Sequence, residues 1–204
     1  MLKKYLRYLI FFIVLGFASS SYAKTIMILG DSISAGFGIA PEQGWVSLLQ
    51  KRLDSQKAKQ HKVINASVSG ETTSGALARL PKLLQTHQPD VVVIELGGND
   101  GLRGGPPQMI QNNLAQLIQL SQKAQAKVVL LGMKLPPNYG TAYNSAFENN
   151  YKVLSQRYKV TLLPFFMQGV AGQNHLMQAD KIHPNAKAQM TLLNNAFPSI
   201  KSVL

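Results

Sequence analysis

The chain has no cysteine. That excludes a disulfide framework, a thiol nucleophile, a Cys-ligated zinc or iron–sulfur centre and a lipidated N-terminal cysteine. Acidic residues are scarce: 9 Asp and Glu face 21 Lys and Arg, for a formal net charge of +12. Only 4 histidines are present, and His61, His87 and His175 lack ligand-spaced neighbours, so no metal or other cofactor is expected. The phosphate loop, the Gly-x-Gly-x-x-Gly turn, His-Glu-x-x-His and the Gly-x-Ser-x-Gly elbow are all missing. No period of 20–50 residues occurs, which excludes a solenoid. The 16 Gly and 10 Pro are scattered, so low-complexity segments are excluded too.

The 204 residues, 46% of them hydrophobic, suit one globular domain. The first residues do not belong to its pattern. Lys3, Lys4 and Arg7 precede an apolar stretch from Leu9 to Phe17, and small residues lead to Ser21-Tyr22-Ala23. This predicts a secretory signal peptide over 1–23, a single domain over 24–204, and a periplasmic or secreted product. The uncharged run from Tyr8 to Ala23 is shorter than the ~20 residues that span a bilayer. The densest basic stretch, Lys51-Arg52 through Lys62, has no interleaved aromatic residues. Nucleic acid is therefore not expected as a partner, whereas weak contact with anionic envelope lipid is. A monomer is expected.

Strand-like and helix-like segments alternate through the rest. Apolar runs at 25–29, 63–66, 91–96, 128–131 and 160–163 lack alternation, as strands buried on both faces do. Helical spacing links Trp45, Leu49 and Leu53; Leu77, Leu80 and Leu84, with Pro81 kinking or splitting the helix; Ile110, Leu114 and Leu117; and Tyr143, Phe147 and Tyr151. Pro184 is expected to open a last helix carrying Met190, Leu193 and Phe197. The pattern predicts a three-layer α/β/α sandwich around a flavodoxin-like five-stranded parallel sheet of order 2-1-3-4-5. In such a sheet, ligands bind at the carboxyl ends of the strands near the switch in strand order.

Gly30-Asp31-Ser32, Ser69-Gly70-Glu71 and Gly97-Gly98-Asn99-Asp100 follow the first three strands, and Asp180-Lys181-Ile182-His183 lies near the C-terminus. A serine hydroxyl needs an adjacent base at neutral pH. His183 can accept its proton, and Asp180 can fix the imidazole tautomer. The oxyanion left by attack on an acyl carbon could be met by the backbone N–H groups of Ser32 and Gly70 and the side-chain amide of Asn99. Taken singly, each segment could be an ordinary turn or cap. Their order and their placement at strand ends favour catalysis. Asp31 and Asp100 read as organisers of their own loops.

With those four blocks in place, the chain resembles the SGNH (GDSL) hydrolase family. Longer stretches, among them Glu95–Gly104, Leu135–Gly140, Leu163–Phe166 and Asp180–Asn185, resemble its thioesterase, arylesterase and lysophospholipase members more narrowly. The resemblance implies the SGNH hydrolase fold, with Ser32 as nucleophile, His183 as base, Asp180 as its orienter, and Ser32, Gly70 and Asn99 as the oxyanion hole. It also implies small-molecule acyl ester or thioester substrates cleaved through an acyl-enzyme. An envelope carbohydrate O-deacetylase and a non-catalytic lipid carrier are the rival functions. Apolar substrate contacts are expected from Met133, Leu135, Pro136, Tyr139, Tyr143 and Phe166. Leu102 and Arg103 are expected on a loop from Gly101 to Pro107 lying over the acyl groove.

Overall fold

The computed structural model describes residues 23–56 and 61–204. Of the expected signal peptide, all but Ala23 lies outside the described residues. Five parallel strands form one sheet: β1 (Thr25–Gly30), β2 (Lys62–Asn65), β3 (Val91–Glu95), β4 (Lys127–Leu131) and β5 (Thr161–Leu163). Their order is β2-β1-β3-β4-β5, as the alternating pattern predicts. β1 sits between β2 and β3, with Ile28 opposite Asn65 on one side and Val93 on the other. Its residues Ile26 to Leu29, like Val91 to Ile94 of β3, are fully buried, which explains why neither strand alternates.

Among the described residues seven α-helices surround the sheet: α1 (Ser32–Ala35), α2 (Trp45–Asp54), α3 (Thr73–His87), α4 (Gly98–Leu102), α5 (Pro107–Lys123), α6 (Thr141–Tyr158) and α7 (Gln189–Lys201). α2 packs against α7, while α3, α5 and α6 pack in succession. Right-handed crossovers demand this split, because the chain moves one way from β1 to β2 and the other way from β2 onward. Among the described residues no helix is long and apolar enough to cross a membrane.

Two sequence expectations need correction. Pro81 does not split α3, which runs unbroken through it. Pro81 is exposed, so water can reach the carbonyl that its missing N–H leaves unbonded. Pro184 does not open the last helix. It is buried and forms an antiparallel bridge with Met177, and a 3-10 turn over Ala186–Ala188 intervenes before α7. Asn185 caps that turn by accepting the Lys187 N–H.

Candidate active site

Three loops at the carboxyl ends of β1, β2 and β3 meet the loop before α7. The first is the turn after β1. Asp31 caps α1 by accepting the Ile33 N–H at 3.0 Å, which places Ser32 in the first helical turn. Beneath the turn lies the fully buried Glu95. Its Oε2 accepts the Ser34 hydroxyl at 2.7 Å, and Ser34 Oγ accepts the Trp45 indole N–H at 3.2 Å. A Cβ at residue 30 would come within 2.9 Å of that carboxylate, so Gly30 is needed for the close approach. Burial, reinforced by the Asp31 charge, pushes the Glu95 carboxyl well above the ordinary carboxylate range. Burial also raises Asp31, to about 6.

The loop before α7 brings His183 to this turn. Its Nε2 lies 2.9 Å from Ser32 Oγ and its Nδ1 2.6 Å from Asp180 Oδ2. Asp180 Oδ1 also accepts the backbone N–H groups of Ile182 and His183. The hydrogen bonds from the His183 backbone and ring lower the Asp180 carboxyl to about 2. An ionised Asp180 can only accept, so Nδ1 donates to it, and in the neutral imidazole Nε2 is then bare toward the hydroxyl. Lys181, between the two, has φ 58°, a left-handed conformation that lets the chain turn back within three residues.

The remaining loops supply donors. Gly70 has φ +78° in a turn closed by Glu71 N–H donating to the Val68 carbonyl at 3.1 Å. The backbone N–H groups of Ser32 and Gly70 make no hydrogen bond among the described residues. Asn99 lies in α4, and its Nδ2 donates to Asp31 Oδ2 at 3.1 Å and to the Glu71 carbonyl at 3.0 Å. Asp100 accepts the N–H and hydroxyl of Thr73, tying this loop to α3. Arg79 donates to Glu71 Oε2 at 2.7 Å and to the Ala66 carbonyl at 3.0 Å, bracing the turn that carries Gly70.

A cavity of about 570 Å³ opens beside Ser32, Asn99 and His183. Of the expected substrate contacts, Leu102, Met133, Leu135 and Pro136 line it. The others sit elsewhere. Phe166 is fully buried and packs edge-on against Trp45, so it belongs to the core. Its neighbour Phe165 lines the cavity instead. Tyr139 donates its hydroxyl to the Leu102 carbonyl and Tyr143 donates to those of Gly105 and Gly101, so both hold the chain behind the wall. Arg103 does not line the cavity and donates instead to the Gly70 carbonyl at 3.3 Å. The expected loop over 101–107 is shorter than supposed, because α4 extends to Leu102. Sequence reasoning missed Ile33, Met167 and Met177, which complete the apolar wall together with Ile182. None of these carries a motif, and only folding brings them together.

A hydroxyl facing a bare imidazole nitrogen, unbonded N–H groups and an apolar cavity together suit acyl transfer. The chain matches the GDSL-like lipase/acylhydrolase family over residues 28–190. It is 51% identical over 182 residues to an esterase, TesA, of Pseudomonas aeruginosa, covering 89% of this chain and 90% of that one. It is 45% identical over 180 residues to the thioesterase 1/protease 1/lysophospholipase L1 of Escherichia coli K12, covering 88% and 84%. The crystal structure of a psychrotrophic esterase, EstA, from Pseudoalteromonas sp., inhibited by monoethylphosphonate, superimposes with a TM-score of 0.84 at 45% identity, covering 88% and 97%.

Proposed function

Since the chain belongs to the GDSL-like lipase/acylhydrolase family and is a serine hydrolase acting on small-molecule esters, we propose that Ser32, His183 and Asp180 carry out its chemistry on acyl esters and thioesters. Ser32 Oγ attacks the acyl carbon while its proton passes to His183 Nε2. The carbonyl electrons move onto oxygen, where the N–H groups of Ser32 and Gly70 stabilise the charge. Asn99 adds a third donor, shared with Asp31 and Glu71. Collapse expels the alcohol or thiol, which takes the proton from His183. Water then attacks the acyl-enzyme, His183 takes a proton from that water, and the acid leaves with Ser32 restored. Asp180 stays ionised throughout and holds the imidazolium.

The observation that carries this reading is the 2.9 Å approach of Ser32 Oγ to an imidazole already held by Asp180 at 2.6 Å. Inhibition of the Pseudoalteromonas relative by a phosphonate fits a nucleophilic serine. The apolar wall of Leu102, Leu135, Phe165 and Met167 favours an acyl chain over the polar sugar of an O-deacetylated carbohydrate. A lipid carrier would need the cavity without the aligned hydroxyl and imidazole. The test is turnover of p-nitrophenyl acyl esters and acyl-CoA thioesters. Wild type hydrolyses both and prefers acyl groups longer than acetyl, while Ser32→Ala hydrolyses neither. Preference for acetylated sugar over every fatty acyl ester would favour the deacetylase.

We further propose that residues 1–23 direct export and that the periplasmic or secreted protein, a monomer with weak affinity for anionic envelope lipid, begins at Lys24. N-terminal sequencing of the exported protein tests that start.

A further inference from the structure

Phe37 has no part in the chemistry above, and it is 49% exposed. Yet its ring lies on the imidazole of His183, with centroids 4.6 Å apart and planes tilted by 41°. One residue holds both partners in this contact. Gln178 donates its backbone N–H to the His183 carbonyl at 2.7 Å and its side-chain amide to the Phe37 carbonyl at 2.7 Å. The same amide reaches the Pro184 carbonyl at 3.1 Å. Gly38, next to Phe37, has φ +74°, and a Cβ there would collide with the Gln178 amide. The chain around Phe37 is thus shaped to accept the clamp.

The imidazole needs such a contact. Its hydrogen bonds to Asp180 and Ser32 hold the ring only while water is kept from competing for them, so a further restraint is needed. Burial does not supply the restraint, because the Asp180 side chain is 38% exposed and water reaches that pair. A surface against the ring face does. We propose that Phe37 is a positioning residue for His183, holding the imidazole in the plane that joins Ser32 Oγ to Asp180 and excluding water from one ring face. The inference rests on the reading of Ser32 as nucleophile and His183 as base.

The test compares wild type, Phe37→Ala, Phe37→Leu, Phe37→Tyr and His183→Ala, using the rate of labelling by a fluorophosphonate probe alongside kcat and KM for a short p-nitrophenyl ester. Contacts between aromatic rings are worth enough to change a rate about three- to tenfold. Phe37→Ala is expected to lower both kcat and the labelling rate by that factor at unchanged KM and melting temperature. Phe37→Tyr restores the wild-type rates, and Phe37→Leu, which fills the space without an aromatic face, stays slow. Should Phe37→Ala fail to fold, the contrast between Leu and Tyr carries the same test. A change confined to KM would make Phe37 a substrate contact and overturn the proposal. Wild-type rates in Phe37→Ala or Phe37→Leu would overturn it as well. His183→Ala separates the two levels: if it labels as fast as wild type, the assignment of His183 as base fails, whatever Phe37 does.

Discussion

At Asn99 the sequence offers a role but says nothing of its strength. Its motif marks it as an oxyanion donor, and α4 does carry it to the cavity wall. Its amide is nevertheless already engaged by Asp31 and Glu71 at 3.1 and 3.0 Å. A free donor is worth about 10²–10³ in kcat, and one sharing its hydrogens is worth less. Asn99→Ala is therefore expected to lower kcat by about ten- to a hundredfold with KM little changed. An effect on KM alone would make Asn99 a substrate-positioning group. Asp31 supports a second prediction, one of pH. Its folded carboxyl is raised from 3.8 to about 6, chiefly by burial. Between those values the folded state binds more protons than the unfolded chain, so this group lowers stability as pH rises through the window. Asp31→Asn lacks that term. Denaturant unfolding at pH 4 and pH 7 should show the variant gaining on wild type, by at most about 1.4 kcal/mol per pH unit. A constant gap would contradict it.

At the scale of elements, the sheet was readable because its inner strands are buried on both faces and end at glycines, while the half-buried edge strand β5 ends at Pro164, which gives both their identity and their limits. What followed Pro164 was not readable. No periodicity tells Phe165 from Phe166, and the choice between cavity and core depends on Trp45, more than a hundred positions away. Pro184 misled for a related reason. Its favoured helix-opening role lost to the bridge with Met177 that shapes the base loop. The bracing of the Gly70 turn was equally invisible, since Arg79 in α3 looks like any surface cation until its contacts with Glu71 and Ala66 are known. Removing those contacts in Arg79→Ala should cost about 1–2 kcal/mol, with part of the pair screened by solvent, and should lower kcat more than it raises KM. Urea titration and steady-state kinetics together check this. Lost stability with unchanged kcat would show that the turn keeps its shape without Arg79.

For the molecule as a whole, the order β2-β1-β3-β4-β5 puts the first three strand ends side by side, and the last loop folds back over them. Residues 32, 99 and 183, spread over most of the chain, thereby share one cavity mouth, and the Gly70 turn is tied to it where Asn99 donates to the Glu71 carbonyl. The family motifs made that convergence legible, while the apolar wall came only from packing. The central claim is that Ser32 is the activated nucleophile, and peptide mapping after reaction with a fluorophosphonate tests it most directly. One adduct is expected, on Ser32, and none on folded Ser32→Ala. An adduct on Ser34, or full labelling of Ser32→Ala, would contradict the account.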